Sequence, residues 1–234
     1  MQPQSRRDRL RTETVRDIKA IALRHLARGG VNAISLRGIA REMGMTAGAL
    51  YSYFDTRDDL ISALIADTYN ELADAQEAAR DKVPSSDPAG RVLVVAETFR
   101  KWAVNNPSGF RLIYGDPLPG SDLPEDSAVA EAERRSCMTL LGLVAGAWSA
   151  IPEAVQEVEV DWSDFHESLV GPSCAAFPHL PASALAVSLR LWGRMYGLVA
   201  LEVFGHLKQQ THDPEKLYRS EMLDLIRSLG LGHS

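Results

Sequence analysis

Apolar residues recur at intervals of three and four along most of the chain, and no useful stretch alternates apolar with polar residues. Such spacing places side chains on one face of an α-helix, whereas a half-buried strand needs a period of two. The pattern therefore predicts an all-α fold. Helices are expected over residues 14–29, 36–43, 47–53, 56–82, 92–103, 107–115, about 125–148, 182–209 and 214–229.

Capping and helix-breaking residues set the expected limits of these helices. Thr14 and Thr56 are the predicted N-caps of the first and fourth helices, each followed by an Asp at the N3 position. Residues 82–90, with two prolines and two serines, are the best candidate for a boundary between two parts of the chain. Residues 152–181 are rich in acidic residues and proline and are expected to be irregular.

The bulk composition is that of a soluble globular protein. Of 234 residues, 45% are hydrophobic and 24% charged, close to the usual averages. The only cysteines, Cys137 and Cys174, exclude a disulfide framework. The first residues lack the apolar stretch of a signal peptide, and the longest nearly uncharged run, 139–152, falls short of the roughly 20 residues that span a bilayer. We therefore expect a cytoplasmic protein without a membrane partner.

The net charge of −6 is distributed unevenly. Residues 1–60 carry 11 Lys and Arg against 7 Asp and Glu, a balance of +4, and the remainder carries −10. This asymmetry suggests a basic part that binds a polyanion, although charge also varies by chance. The first residues are especially basic. They form either an arm that reaches a DNA minor groove or phosphate, or a disordered, solvated tail, with arginines at positions Arg6, Arg7, Arg9 and Arg11.

Residues 35–54 predict two short helices joined by a tight turn. Ser35 and Thr46 are suitable N-caps, and Gly44 can end the first helix. Leu50 and Phe54 are expected to point inward. This is the helix-turn-helix pattern, whose second helix enters the DNA major groove. An ordinary helical hairpin has the same spacing, but two exposed tyrosines in a basic neighbourhood favour DNA, because their hydroxyls can donate to phosphates.

The same block resembles the N-terminal domain of the TetR/AcrR family of bacterial regulators over residues 12–69. The matching residues are Gly30, Ser35, Ile39, Ala40, Gly44, Met45, Leu50, Tyr51, Ser52, Tyr53, Phe54, Arg57 and Leu60. The resemblance implies an N-terminal three-helix DNA-binding domain over residues 1–56 and a C-terminal helical bundle over residues 57–234 that binds an effector and dimerises.

The resemblance also implies roles for single residues. It places Tyr51, Tyr53 and Arg57 at phosphate-binding positions and Arg37 at a second-helix position that contacts DNA. The groove-facing positions are Thr46, Ala47, Gly48, Ala49 and Ser52. This second helix has few long polar side chains, so base readout would depend on methyl contacts, Thr46, Ser52 and Arg37.

The C-terminal part further resembles a subgroup that carries a Trp, then His-Gly, then Leu-Glu, although Tyr196 stands where the His is expected. In the helix from Ala182, a narrow apolar seam with Gly193 and Gly197 beside it could pack another helix. The seam comprises Leu185, Leu189, Trp192, Tyr196, Val199 and Val203, and the last helix has an apolar stripe of Leu217, Met222, Leu225, Ile226 and Leu229. Both could be intramolecular core, but the family uses two such helices for its dimer.

Aromatic residues of the C-terminal part could line a cavity for an apolar or aromatic effector, or could simply fill the core. The candidates are Phe99, Trp102, Phe110, Tyr114, Cys137, Trp148, Trp192 and Tyr196. No cofactor is expected. His206 and His212 lack the further ligands of a zinc site, so no metal is expected either.

No catalytic motif accompanies these features, so an enzyme is not expected. The sequence predicts a ligand-responsive DNA-binding transcriptional regulator. Repression from a palindromic operator is favoured, because an operator-bound dimer blocks polymerase without contacting it. An activator, or a helical interaction module without a DNA role, remains the alternative.

Overall fold

The computed structural model describes residues 5–115, 124 and 127–232. Over these residues the secondary structure is α-helical with short 3₁₀ turns and contains no strand, which confirms the predicted all-α fold. The helices are α1 (Arg6–Gly29), α2 (Leu36–Glu42), α3 (Ala47–Tyr51), α4 (Arg57–Arg80), α5 (Pro88–Asn105), α6 (Pro107–Tyr114), α7 (Ala128–Ala147), α8 (Glu153–Gln156), α9 (Glu167–Ala176), α10 (Ala182–Val203) and α11 (Pro214–Ser228).

Helix α1 begins at Arg6, so the predicted start at Thr14 is wrong. Ser5 is the N-cap, and its hydroxyl accepts a hydrogen bond from the Asp8 amide at 3.1 Å. Thr14 lies inside the helix, where its hydroxyl donates to the Leu10 carbonyl at 2.8 Å. A threonine hydroxyl can bond back to the preceding turn instead of capping. The basic run is therefore helical, which corrects the alternative of a disordered tail.

The described residues form two compact units. The first contains residues up to Thr68 together with residues 108–115. Its core includes Ile18 of α1, Ile39 of α2 and Leu50 of α3, all fully buried. The functional division proposed at residue 56 therefore falls before the structural one, which lies within α4.

The second unit contains residues 69–107, 124 and 127–232. Helix α10 is central to it and packs against α5, α7 and α11. Helices α5, α7 and α11 begin with side-chain caps: Asp87 accepts from Gly90, Ser127 from Ala130 and Asp213 from Lys216. The predicted start of α7 near position 125 lies outside the described residues, as do positions 116–119 of the stretch predicted to end α6.

Several predicted limits in the second unit need correction. Residues 152–181 are not wholly irregular, because they include α8 and the ten-residue α9, which contains Pro172. Helix α10 ends at Val203 and not at Gln209. Gly205 adopts φ +86°, and the His206 amide donates to the Leu201 carbonyl at 2.8 Å. This Schellman motif stops the helix.

The predicted seam of α10 is divided between the inside and the outside of the unit. Leu185 and Val199 are buried, but Trp192 is 39% exposed. The buried face is instead continued by Leu191 and Met195. On α11 the predicted stripe is buried except for Leu217, which is exposed.

Candidate DNA-binding surface

The turn between α2 and α3 is held by backbone geometry that few residues other than glycine adopt. Gly44 has φ +67°. The Met45 amide donates to the Ala40 carbonyl at 2.8 Å, and the Gly44 amide donates to the Arg41 carbonyl at 3.2 Å. This Schellman motif ends α2 and redirects the chain. Thr46 then caps α3 by accepting from the Ala49 amide at 3.2 Å, as the sequence predicts.

Burial of one side of α3 decides which side faces outward. Leu50 is fully buried and Phe54 nearly so, while the predicted N-cap Ser35 accepts from the Gly38 amide and starts α2. Because α3 has only five residues, its packing depends on these few contacts. One side of this short helix is therefore packed against the core, and its opposite side is available to DNA.

The outer side of α3 has the chemistry that the sequence suggested. Tyr51 is 41% exposed, and Thr46, Gly48 and Ser52 are exposed as well. Ala47, Ala49 and Tyr53 are half-buried. The Ser52 hydroxyl donates to the Ala49 carbonyl at 2.7 Å, which leaves its lone pairs available to an outside donor. Apart from Tyr51, α3 itself has no long polar side chain.

The two arginines predicted at this surface differ in their surroundings. Arg37 is exposed on α2 and makes no hydrogen bond or ion pair with the described residues. Arg57, in contrast, donates through Nε to the Ile34 carbonyl at 3.0 Å and through Nη2 to the Val31 carbonyl at 2.7 Å. Its third nitrogen lies 3.4 Å from an Asp58 oxygen. Arg57 thus fastens the 3₁₀ turn before α2, and its predicted phosphate contact stays a prediction.

Sequence reasoning placed Arg11 in a basic arm near DNA but did not predict its contact with the end of α3. Its Nη2 donates to the Ser52 carbonyl at 3.2 Å, and its guanidinium carbon lies 4.9 Å from the centre of the Tyr53 ring. A cation over an aromatic face is stabilised by the ring quadrupole. The signal was present in the sequence, since Arg11 is seven residues before Ile18 and shares the inner face of α1.

Helices α1 and α2 are joined by a carboxylate. Glu42 accepts from Arg24 at 2.7 Å, and its other oxygen lies 3.0 Å from His25 Nε2. The Arg24 guanidinium, and next the His25 contact, lower the pKa of Glu42 below its ordinary range. These two contacts connect α1 with α2.

The candidate effector residues are distributed over both units. Phe110 and Tyr114 belong to the first unit, with ring centres 5.1 Å apart. In the second unit Phe99 and Trp102 are buried, whereas Trp192 and Tyr196 form an outer pair with ring centres 5.9 Å apart. Trp148 lies in a 3₁₀ turn after α7 and is half-buried.

Cys137 does line a cavity. An open pocket of about 510 Å³ lies between α7 and α9, and its wall includes Cys137, Arg134, His166 and Leu169. Burial raises the pKa of the Cys137 thiol to about 11. The group is therefore a neutral, weakly polar surface and not a nucleophile.

Two further observations concern metals and membranes. Nowhere in residues 5–115, 124 and 127–232 do three His, Cys, Asp or Glu side chains come together as metal ligands would. Of the described helices, α10 has the length and apolar composition to cross a bilayer. It is also the central helix of the second unit, and core helices of soluble proteins share that composition.

Comparison with known proteins identifies relatives of both parts of the chain. The family of bacterial regulatory proteins, tetR family, matches residues 18–64. The tetracyclin repressor-like C-terminal domain matches residues 92–225, without confirming the Trp-His-Gly subgroup.

The similar proteins include named regulators. The HTH-type transcriptional regulators Rv1816 of Mycobacterium tuberculosis and Mb1846 of Mycobacterium bovis are each 31% identical over 196 residues, 80% of this chain and 80% of the relative. The crystal structure of SCO4313 is 32% identical, with a TM-score of 0.76 over 95% of this chain and 100% of that one.

A more distant structure, the TetR family transcriptional regulator PfmR of Thermus thermophilus, shares the fold at 15% identity, with a TM-score of 0.57 over 91% of this chain and 98% of that one. The two family matches cover both the capped α2–α3 surface and the bundle around α10. Together with the relatives above 30% identity, they show that this chain belongs to the TetR family of helix-turn-helix transcriptional regulators, which bind DNA and are not enzymes.

Proposed function

We propose that this protein is a cytoplasmic, ligand-responsive repressor that binds a palindromic operator as a homodimer and is released by a small apolar or aromatic effector. The observation that carries the proposal is the geometry of α3. It is capped by Thr46, supported by the buried Leu50 and exposes Tyr51 on its outer side. A short helix so presented has the size and shape to enter the major groove.

In this proposal the tyrosines and Arg37 hold the protein on the phosphates, and small residues of α3 read the base edges. Tyr51 and Tyr53 supply hydroxyl donors, and the exposed Arg37 supplies a charge. Base contacts come from Thr46, Ala47, Gly48, Ala49 and Ser52, mainly through methyl groups and two hydroxyls. Arg57 supports the surface by fixing the turn before α2, because its guanidinium is already bound to two carbonyls.

The variant Tyr51→Phe tests the DNA contact, since it removes only a hydroxyl. We expect about tenfold weaker binding to operator and to random duplex alike, the loss of roughly one phosphate hydrogen bond. Binding is measured by fluorescence anisotropy at several salt concentrations, and circular dichroism checks that the variant is folded as the wild type is. Unchanged affinity in both Tyr51→Phe and Arg37→Ala would contradict the assignment of these two residues to phosphate contacts.

The outer side of α10 and α11 supports the homodimer. Trp192, Phe204 and Leu217 are each about two-fifths exposed. A groove of about 600 Å³ runs between the two helices, and Gly193 and Gly197 lie in its wall. A Cβ atom at either glycine would meet no other atom, so a second backbone can approach closely there. The same face on a second copy would bury these apolar side chains around a twofold axis.

Gly197→Leu tests this interface, because it adds a side chain to the groove without a clash inside the protomer. We expect a dimer for the wild type and a mostly monomeric variant in sedimentation velocity at micromolar concentration. Gly146→Leu is the matched control, since Gly146 is also helical and open. An equally stable dimer in both variants would contradict the α10–α11 interface.

Effector control is proposed to act through α4, which contributes to both units. Arg135 of α7 holds the part of α4 in the second unit through Asp74 at 2.7 Å, Glu77 at 2.6 Å and Asn70 at 3.2 Å. Movement of α7 on effector binding would thus be passed to α4. An effector that favours the wrong spacing of the two DNA-binding surfaces lowers the affinity for DNA. Because the coupling is reciprocal, bound DNA lowers the affinity for the effector by the same factor.

Release and the sign of regulation can be measured together. The operator is selected from random duplexes with the full chain, and small apolar and aromatic compounds are screened for release in gel shifts. Transcription in vitro from a promoter overlapping that operator should fall when protein is added and recover with a releasing compound. A rise in transcription on adding protein would identify an activator.

A further inference from the structure

The first two turns of α1 have no core to pack on. Every residue from Ser5 to Glu13 is exposed, and Ile18 is the first fully buried side chain of the helix. These turns are nevertheless helical and capped by Ser5, whose hydroxyl donates to the Asp8 carboxylate at 2.7 Å. We call residues 5–11 the α1 extension.

The α1 extension is attached to the end of the DNA-reading helix. Arg11 donates to the carbonyl of Ser52, the residue that directly follows α3, and stacks over Tyr53. This contact joins residues 41 positions apart. It places the extension beside α3 within the first unit.

The charges on the α1 extension are positive and available. Arg7 precedes Arg11 by four residues, so it shares the same face about 6 Å further along the axis. Arg6 and Arg9 lie on other sides of the same stretch of helix, roughly 100° and 200° around the axis from Arg7. Over the described residues, no carboxylate lies within 4 Å of the guanidinium groups of these three arginines, whereas Asp8 is turned toward the Ser5 cap.

We propose that the α1 extension is a second DNA-contacting element, in which Arg7 and Arg9 bind phosphates that flank the half-site entered by α3. Arg11 is the positioning residue that holds the extension against the end of α3. The proposal rests on the proposed function, because α3 must first be placed in the major groove.

The helical state decides between phosphate and minor-groove contact. An α-helix with its side chains is about 10–12 Å in diameter, whereas the minor groove of B-DNA is about 6 Å wide. Minor-groove arms are therefore extended, and a helix that begins at Arg6 cannot be inserted as one. Arginines projecting from a helix surface reach the phosphates instead, which carry charge but no sequence information.

The experiment compares two duplexes built on the operator selected by the full chain. One is trimmed to the core sequence, and the other adds several base pairs on each side. The test variant is Arg7→Ala/Arg9→Ala, and the matched control is Arg16→Ala/Arg28→Ala, which removes the same charge from exposed sites further along α1. Affinities are measured between about 0.05 and 0.2 M salt.

We expect the wild type and the control to bind the longer duplex more tightly, and the test variant to bind both duplexes alike. Removal of two phosphate interactions should lower the salt slope by about 1.8 per protomer, so that affinity falls about 12-fold less across this salt range. Identical behaviour of test and control variants would overturn the proposal. So would a preference for A·T over G·C flanks, which indicates minor-groove readout.

A second variant, Leu10→Pro, tests the helix itself. Leu10 is 54% exposed, so the change breaks the α1 extension without opening the core. Leu10→Pro should bind the longer duplex no more tightly than the trimmed one, while the melting temperature of the protein stays at the wild-type value. Arg11→Gln should do the same. Retention of the gain by Leu10→Pro would show that a flexible arm suffices and would overturn the helical element. If the wild type selects no DNA, the proposed function itself fails; if it does and only these variants disagree, the failure is confined to the α1 extension.

Discussion

Replacing Arg57 with alanine separates two roles for one residue. The resemblance to relatives implies a phosphate contact, whereas the structure engages the guanidinium with the carbonyls of Ile34 and Val31 at 3.0 and 2.7 Å. Hydrogen bonds from a charged donor contribute about 1.5–3 kcal/mol each. Because the side chain is 38% exposed, water can replace part of this, and the two bonds together should stabilise the fold by about 2–3 kcal/mol.

That magnitude is measurable. For a chain of this length, each kcal/mol shifts the melting temperature by about 2–4 °C, so Arg57→Ala should melt about 4–12 °C lower. Arg57→Lys should be intermediate, since one ammonium group cannot reproduce the planar fork. Melting is followed by circular dichroism at one protein concentration. The salt slope of DNA binding should remain that of the wild type, although affinity falls because the turn before α2 is loosened.

Arg37→Ala is the control, because it should change the salt slope of DNA binding and not the melting temperature. Arg37 is exposed and without a hydrogen bond or ion pair in the described part of the chain. Its removal should leave the melting temperature unchanged and flatten the salt slope by about 0.9 per protomer. Our reasoning is refuted if Arg57→Ala instead keeps the wild-type melting temperature and flattens the slope.

Three further outcomes follow from the contacts. Arg100 binds both oxygens of Glu202 at 2.7 and 2.8 Å with both side chains largely buried, so Arg100→Met should cost about 2–4 kcal/mol in urea denaturation. The double variant Arg100→Met/Glu202→Met should recover part of that loss. Wild-type stability of Arg100→Met alone would contradict the predicted cost. The pKa of Cys137, raised to about 11 by burial, predicts alkylation by iodoacetamide at pH 8 at least about tenfold slower than for free cysteine; an equal rate would disprove it. The pKa of Glu42 is lowered from 4.5 mainly by Arg24, so its contribution to stability is present above pH 4.5 and lost as the pH falls through the folded value. Acid should therefore destabilise the wild type more than Glu42→Gln, and parallel pH profiles would exclude this contribution.

The helix-turn-helix could be predicted because its determinants are local. Ser35 and Thr46 cap the helices that follow them, and Gly44 takes the positive φ that ends α2. Each of these groups bonds to backbone within a few residues, so sequence order alone brings the partners together. The capping box of Thr56 and Asp59 was confirmed for the same reason, with reciprocal bonds of 2.8 and 3.0 Å.

The start of α1 could not be predicted, because the sequence contains two equivalent signals. Ser5 and Thr14 are each followed at the third position by an Asp, and either could begin a helix. The structure starts at Ser5, and Thr14 bonds back to Leu10. The contact of Arg11 with Ser52 favours the longer helix, and it joins parts of the chain 41 residues apart.

Helix α10 shows the same division between local pattern and tertiary packing. Its sequence by itself determined that an apolar helix forms there, but apolar residues occur around most of its circumference. Only the neighbours α5, α7 and α11 decided that Leu191 and Met195 are buried and that Trp192 is left outside. Periodicity specifies which residues share a face, whereas the burial of that face depends on what packs against it.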